Sequence, residues 1–344
     1  MNGLRWLLLA VLSLLLPALA VVAYGLLVYS PLPVDSTWAL RGSSDIRANS
    51  VTVRFSGTST LLFSDGETQW MVDGWFSRPG PVQLLLGKIG PDLEAIERGL
   101  AANGVTSLDA VFPVHSHYDH AMDAPEVARR TGALLLGSES TANIARGWGL
   151  PEAQIQVVQE RVAIRLGQFV ITPIESRHFQ FPDPQMRRRA LADPIIADPL
   201  VPPVNAFDYR LGKAYVLHVS HPAGRWLIVG SAGYVEGALQ GFAADTVFLG
   251  VGGLGSQSDS YRQSFWQETV AAVQATRVIP VHYDSLTAPA EGPFKGPVKA
   301  VAFLSGGLDN TLAFLRQKAA EDPALTFHTL PRFSEVQLYQ GQLD

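Results

Sequence analysis

Hydrophobic and polar positions divide the chain into an apolar leader and a long alternation of short apolar runs with amphipathic stretches. Trp6–Tyr29 is twenty-four residues without a charge, preceded by Arg5 and followed by the proline-containing SPLPVDSTW. As a helix it is about 36 Å long, enough to cross a hydrocarbon core of about 30 Å. The pattern predicts an N-terminal transmembrane anchor over residues 1–30. A cleaved signal peptide is the alternative, with Leu7–Leu16 as its apolar core and Ala18-Leu19-Ala20 as its cleavage site. Apolar character continuing through Val28 favours the anchor. Arg5 ahead of the run directs the rest of the chain outward. The expected location is a single pass in the cell inner membrane with the catalytic part on the periplasmic or extracytoplasmic side, or, after cleavage, the periplasm.

A linker over residues 31–50 precedes one domain, 51–344, whose roughly 290 residues suffice to bury a large α/β core. No internal repeat is present. Helical periodicity is predicted at Pro91–Ala102, Ala124–Arg130, Ser138–Gly147, Asp259–Thr276 and Asn310–Glu321, with Pro91 and Asp92 as a start and Gly104 as a stop. Between them lie short β-branched runs such as LDAVFPV, FVITPIESR, WLIVG and RVIPVH. AYVLHVSH and RWLIVGSA, joined through Pro222-Ala223-Gly224, read as a hairpin.

One such run ends in chemistry. LDAVFPV is followed by HSHYDH, which brings His115, His117, Asp119 and His120 into six residues at the C-terminal end of an apolar strand. On extended backbone His115 and His117 point to one side, and Asp119 and His120 come from the turn and helix start beyond them. Two metal ions close together become geometrically reasonable, whereas a polar loop that merely clusters histidines needs a coincidence.

Distant motifs follow in order: Asp73 ends the run Met71-Val72-Asp73-Gly74, His178 follows FVITPIESR, and His282 closes RVIPVH. Together these motifs resemble the signature of the metallo-β-lactamase superfamily over Val51 to about Tyr339, and five of the eight histidines fall on its positions. The resemblance implies an αββα sandwich with a dinuclear site: His115, His117 and His178 around one metal, Asp119, His120 and His282 around the other. It also implies that Asp119 orients the nucleophile and that Asp73 fixes a ligand histidine, the alternative role of a strand-end aspartate being to cap a turn. The HYDH run, the PVH strand end and ESRH look most similar to the branch of N-acyl-phosphatidylethanolamine phospholipases and ascorbate-phosphate lactonases.

One position departs from the pattern. Where most hydrolases of that superfamily carry a bridging aspartate after the fourth strand motif, this chain reads Gly230-Ser231-Ala232-Gly233-Tyr234. A neutral hydroxyl brings no charge and is a poor ligand, so the second metal is expected to bind less tightly. Glu236 is a weaker candidate to substitute for it. Zn²⁺, two per chain, suits an imidazole-rich set with one carboxylate, while Mn²⁺ or Fe also fits by ligand type. Such a pair lowers the pKa of a bound water to about 7 and polarises the substrate oxygen, which is metal-assisted hydrolysis.

Other residues change the picture less. His218, His221 and His328 read as ordinary strand residues, and Tyr118, Tyr234, Tyr283 and Asp284 adjoin ligand positions either as proton carriers or as packing. Phe179–Phe207, with six prolines and many apolar side chains, is too apolar for a linker and too broken for a helix, so it is expected to wall or cover the site. With Trp75, Phe76 and Arg78 it suggests an apolar pocket with one cationic contact, or else a segment that only packs on the surface. A net charge of −5 with basic residues scattered, apart from Arg187-Arg188-Arg189, gives no footprint for nucleic acid. The absence of cysteine excludes disulfide, thiol and lipoprotein chemistry. The expected function is a membrane-anchored hydrolase of an ester-type bond (phosphodiester, lactone or lipid-like ester) acting on a small-molecule or lipid-like substrate. The alternatives are a β-lactam hydrolase with the same ligand set and a non-catalytic binding module with a degenerate site.

Overall fold

The computed structural model describes residues 2–43, 50–305 and 307–338. Within the segment expected as a linker, residues 44–49 lie outside these, as does Tyr339. Six strands run in chain order through the first half: β1 (Val51–Gly57), β2 (Thr60–Ser64), β3 (Gln69–Val72), β4 (Ala110–Phe112), β5 (Leu134–Gly137) and β6 (Ile155–Val157). The second half adds β7 (Ile164–Leu166), β8 (Phe169–Ser176), β9 (Ala214–His221), β10 (Gly224–Val229), β11 (Thr246–Gly250), β12 (Arg277–Val281) and β13 (Thr326–Phe327), and β14 (Val336–Leu338) returns to the first sheet. Two seven-stranded sheets result, ordered β14-β1-β2-β3-β4-β5-β6 and β13-β12-β11-β10-β9-β8-β7. Each joins an antiparallel meander to parallel strands.

Burial follows from this layering. Phe55, Phe63, Trp70 and Phe112 of the first sheet pack face to face with Phe169, Leu217, Ile228 and Phe248 of the second. On the outer face of the first sheet, Leu62, Met71 and Val111 meet Ile96, Leu100, Val127 and Ala128 of two helices, Leu93–Ala102 and Ala124–Thr131. On the outer face of the second, Val247, Leu249 and Val278 meet Phe265, Phe314 and Leu315. The order helix, sheet, sheet, helix is the αββα sandwich, and doubly covered strands such as TVFLG are apolar throughout because both faces are buried. Pro280 sits inside β12 without loss of a ladder bond. The Val278 carbonyl accepts from His328, so alternate residues of β12 face β13, and β13 has ended at Phe327 by the level of Pro280.

Helices begin where the sequence caps them: Asp92 accepts from the backbone of Glu94 and Ala95, and Ser138 from that of Thr141. The helix predicted over Asp259–Thr276 is shorter. It runs from Asp259 to Trp266 and widens into a π turn, Gln267–Ala271, where Thr269 Oγ1 donates to the Phe265 carbonyl.

The N-terminal run forms a helix, Asn2–Leu27. Among the described residues no helix is long and apolar enough to cross a membrane, so the transmembrane span expected up to Tyr29 is not supported there. The end of that run belongs to the domain instead: Tyr29 Oη donates to the Thr287 carbonyl at 2.6 Å, and the Val28 carbonyl accepts from Lys299. The next residues also pack on the domain, with Trp38 stacked on Phe327 and Leu40 bonded to the Thr329 carbonyl.

Candidate metal centre

The C-terminal ends of β3, β4, β8, β10 and β12 converge on one edge of the sandwich, and the chemistry lies there. Beyond β4 the chain does not stay extended as expected but bends through Val114–His117, and His117 then caps a single helical turn, Tyr118–Ala121. Ser116 turns the other way, toward Ser138 and Thr141, so His115 and His117 share a side. The helical turn then presents Asp119 and His120.

His115, His117 and His178 form one group, and Asp119, His120 and His282 a second; in each, one ligand atom per residue lies within 4.8 Å of the others. The groups adjoin, since the His115 and His120 rings are 3.8 Å apart between centroids. Asp73, at φ 60° after β3, enters neither group. Its Oδ1 accepts from the backbone of Val114 at 2.9 Å, and its Oδ2 is 2.9 Å from His120 Nδ1, which leaves His120 Nε2 to face Asp119 Oδ2 at 3.6 Å. His178 Nδ1 is held by the Phe179 carbonyl at 2.9 Å, and His282 Nε2 lies 3.3 Å from Asp119 Oδ2.

The fit to a metal can be judged from atoms the fold leaves unsatisfied. His115 Nε2 is buried without a hydrogen-bond partner among the described residues, a costly state unless a ligand takes up its lone pair or proton. Burial and the neighbouring imidazoles push His115 and His178 well below the ordinary histidine value, and burial brings His117 down to about 4. These three rings are therefore neutral near pH 7, the form that ligates. Burial opposes charge on Asp119 as well, but His120, His282 and His117 hold it below the usual carboxylate range. His120 is raised in turn because Asp73 and Asp119 outweigh its burial. One face of three neutral nitrogens beside one anionic carboxylate with two imidazoles fits two borderline cations.

Ser231 lies at the rim, its Oγ 3.4 Å from the Phe179 backbone nitrogen, and supplies no carboxylate to either group; Glu236 is exposed and also belongs to neither. Close backbone approach explains two glycines here: a side chain on Gly233 would collide with the Arg177 carbonyl, and one on Gly252 with His282. His218 Nε2 bonds the Ala243 carbonyl and His221 pairs with Asp65, both away from the centre. The proline-rich segment covers the site. It carries a helix, Pro184–Leu191, whose Ala190 carbonyl faces His117 Nε2 at 3.4 Å, and Phe179 and Phe181 lie against the His178 ring.

Several supporting residues have no local sequence signal. Ser59, in the turn between β1 and β2, donates to Asp73 Oδ2 at 2.6 Å and lies 3.2 Å from His120 Nδ1. Trp75 and Phe76 do not line an open pocket as expected; both are buried in the core, Phe76 against Gly99. Arg78 is buried with them, its guanidinium 4.0 Å over the Trp75 ring.

No family model matches the sequence. A UPF0173 metal-dependent hydrolase of Pyrobaculum islandicum is 28% identical over 120 residues, which are 34% of this chain and 46% of that protein, so the match spans less than half of the relative. Among solved structures, Igni18, a metallo hydrolase from Ignicoccus hospitalis, superposes with a TM-score of 0.50 at 15% identity, covering 85% of this chain and all of that one. A possible metal-dependent hydrolase from Veillonella parvula superposes with a TM-score of 0.52 at 12% identity, again over 85% of this chain and all of the other. At such identities the shared property is the fold.

Proposed function

We infer that this chain, which has the metallo-β-lactamase fold, is a metal-dependent hydrolase with a two-ion centre. The carrying observation is the pair of adjoining three-residue groups, one of which presents a buried and unsatisfied His115 Nε2. His115, His117 and His178 would hold one ion and Asp119, His120 and His282 the other, with zinc the best match to this donor set. When bound, the ions supply Lewis acidity that activates water and stabilises charge growing on the substrate oxygen. The chain's own part is to fix and to shield. Asp73 holds the His120 ring through Nδ1, with Ser59 holding Asp73. Asp119, anionic near pH 7, is placed to accept a proton of the attacking water at Oδ2. Pro184–Leu191 and Phe181 limit bulk water above His117 and His178. The bond attacked is of ester type, in a phosphodiester, a lactone or a lipid-like ester.

We further propose that Asn2–Leu27 tethers the enzyme to a membrane, with the catalytic domain outside the cytoplasm. Support comes from the uncharged stretch after Arg5 and from exposed apolar side chains along it, Leu14, Val21 and Leu27 among them. Leu27 and Leu86 line one groove, and Leu86 is 85% exposed on a short helix beside it, Pro81–Leu86. Apolar surface of this extent favours a lipid interface over water.

Elemental mass spectrometry of the dialysed protein, paired with hydrolysis of phosphodiesters, lactones and β-lactams, tests the reading. Close to two ions per chain with turnover lost in His115→Ala and Asp119→Ala is expected; a chain that takes up no metal when supplied with it is no metallo-hydrolase. For the tether, wild type should pellet with membranes, whereas a chain starting near Asp35 should stay in the supernatant.

A further inference from the structure

Arg78 is buried near the centre, and the inferred hydrolysis makes no use of it. Its exposure is 4%, yet Nε, Nη1 and Nη2 have no hydrogen-bond partner among the described residues. Trp75 covers one face of the guanidinium at 4.0 Å, and the Trp75 ring meets Tyr118, the neighbour of Asp119, edge to face at 5.9 Å. Leu84, Ile89, Met122 and Leu286 pack into the same cluster as Trp75. A guanidinium is always charged and offers five N–H donors in a fixed fork. Leaving these donors unpaired in apolar surroundings is costly, and more so for a charged group.

The acceptors nearby are already committed. Asp284 Oδ1 takes the Thr58 backbone N–H at 2.6 Å, and its Oδ2 takes Arg332 Nη2 at 3.4 Å while lying 3.8 Å from Arg78 Nη2, beyond a hydrogen bond. Asp123 accepts from the backbone of Phe76 and Ser77 and from Ser77 Oγ. Asp119 belongs to the second ligand group. Two arginines thus share the Asp284 carboxylate, and Asp123 and Asp119 face Arg78 electrostatically without a hydrogen bond to it. Trp75 Nε1 and Tyr209 Oη are also buried without partners in this region, so it is rich in donors and short of acceptors.

We propose that Arg78, backed by Trp75, forms a subsite for an oxyanion next to the metal centre, which selects ester substrates bearing a phosphate or carboxylate group away from the bond that is cut. The proposal rests on the hydrolase reading for its substrate role and on Arg78 itself for anion binding. A carboxylate or tetrahedral phosphate meets the fork with two parallel N–H···O bonds, which neutral oxygen ligands do not match.

The test uses the full-length, metal-loaded chain. Calorimetric titration with inorganic phosphate is compared between wild type, Arg78→Met and Arg78→Lys, with metal content measured for each. In parallel, kcat and KM are measured on p-nitrophenyl hemisuccinate, which carries a remote carboxylate, and on neutral p-nitrophenyl butyrate. The expected result is phosphate binding weakened at least about tenfold in Arg78→Met, partly kept in Arg78→Lys, with KM for the hemisuccinate raised by a similar factor and the butyrate unaffected. Phosphate that competes with the hemisuccinate but not the butyrate identifies the substrate's own group as the occupant; phosphate binding at Arg78 without competition identifies a free anion. Wild type that neither binds phosphate nor prefers the hemisuccinate overturns the proposal, and this arm stands even if Arg78→Met fails to fold. Equal losses on both esters together with loss of metal also overturn it, in favour of a purely structural arginine. If wild type cleaves neither ester, the hydrolase reading fails while the phosphate titration still decides the subsite.

Discussion

The backbone N–H of His282 donates to the carbonyl of Thr58 at 2.5 Å, tying a candidate ligand to a turn more than two hundred residues earlier. Both residues hold left-handed backbone, Thr58 at φ 48° and His282 at φ 59°, conformations that unbranched and β-branched side chains avoid without external restraint. Asp284 supplies that restraint from the other side by accepting the Thr58 N–H. Asp284→Ala would leave that donor unpaired and remove the carboxylate that Arg78 and Arg332 share, at a cost of about 3–5 kcal/mol, as for breaking a buried pair. The second ligand group should suffer selectively. Chelator competition on the variant is expected to show one ion held as in wild type and the ion at Asp119, His120 and His282 weakened about 10- to 100-fold.

Asp73 makes a separate prediction because its carboxylate serves three donors at once. Asp73→Asn keeps a residue type that tolerates φ 60° but loses the charge that holds His120 in its raised state. Metal affinity should fall about 10- to 100-fold with the fold retained. Ser59→Ala removes one of the three donors and should cost about 1 kcal/mol of stability with a smaller loss of affinity. Isothermal titration of the metal-free proteins with zinc separates the two, and equal affinities in all three proteins would mean that Asp73 only caps a turn.

Ser231 is where the chain departs from the pattern its motifs resemble. Its hydroxyl reaches the Phe179 backbone at the rim and gives the centre no charge. Ser231→Asp places a carboxylate just beyond the C-terminal end of β10, against the backbone that follows His178, and is expected to tighten the more weakly held ion about tenfold, read as slower release to a chelator. Unchanged release would show that the loop Gly230–Tyr234 aims this position away from the ions.

The parts of the site that were legible in the sequence are those fixed by local geometry. HSHYDH reads as a cluster because alternation and one helical turn place its side chains, and Asp73, His178 and His282 read as strand ends because an apolar run precedes each. Helix starts at Asp92 and Ser138 were legible because capping is a three-residue interaction. Thr58, Ser59 and the pairing of Arg78 with Trp75 were not, since sheet register rather than neighbouring sequence carries the turn after β1 to Asp73, His282 and Asp284. The same limit applies to Asp259–Thr276, where the periodicity continues but Thr269 bonds back to Phe265 and the helix widens.

Acid sensitivity follows from the neutral histidines. Burial holds His117 and His328 at about 4 against an ordinary value of 6.5. Between these values the unfolded chain binds protons that the folded chain refuses, so stability falls as pH drops through this window. Asp119, held below the carboxylate range, adds a loss below pH 3.8. His120 acts in the opposite sense, since its raised value contributes stability that is complete below its unfolded value and is lost as pH rises through the folded one. The metal-free protein is therefore expected to lose Tm between pH 6.5 and 4, and His117→Gln to flatten part of that slope while leaving the parts due to His115, His178 and His328. Bound metal should shift the loss to lower pH, because protons must then displace the ion before they reach the imidazoles. A Tm profile that is flat across the window in the metal-free protein would mean that His117 is solvated enough to charge without unfolding, and the covering role of Pro184–Leu191 would fall with it.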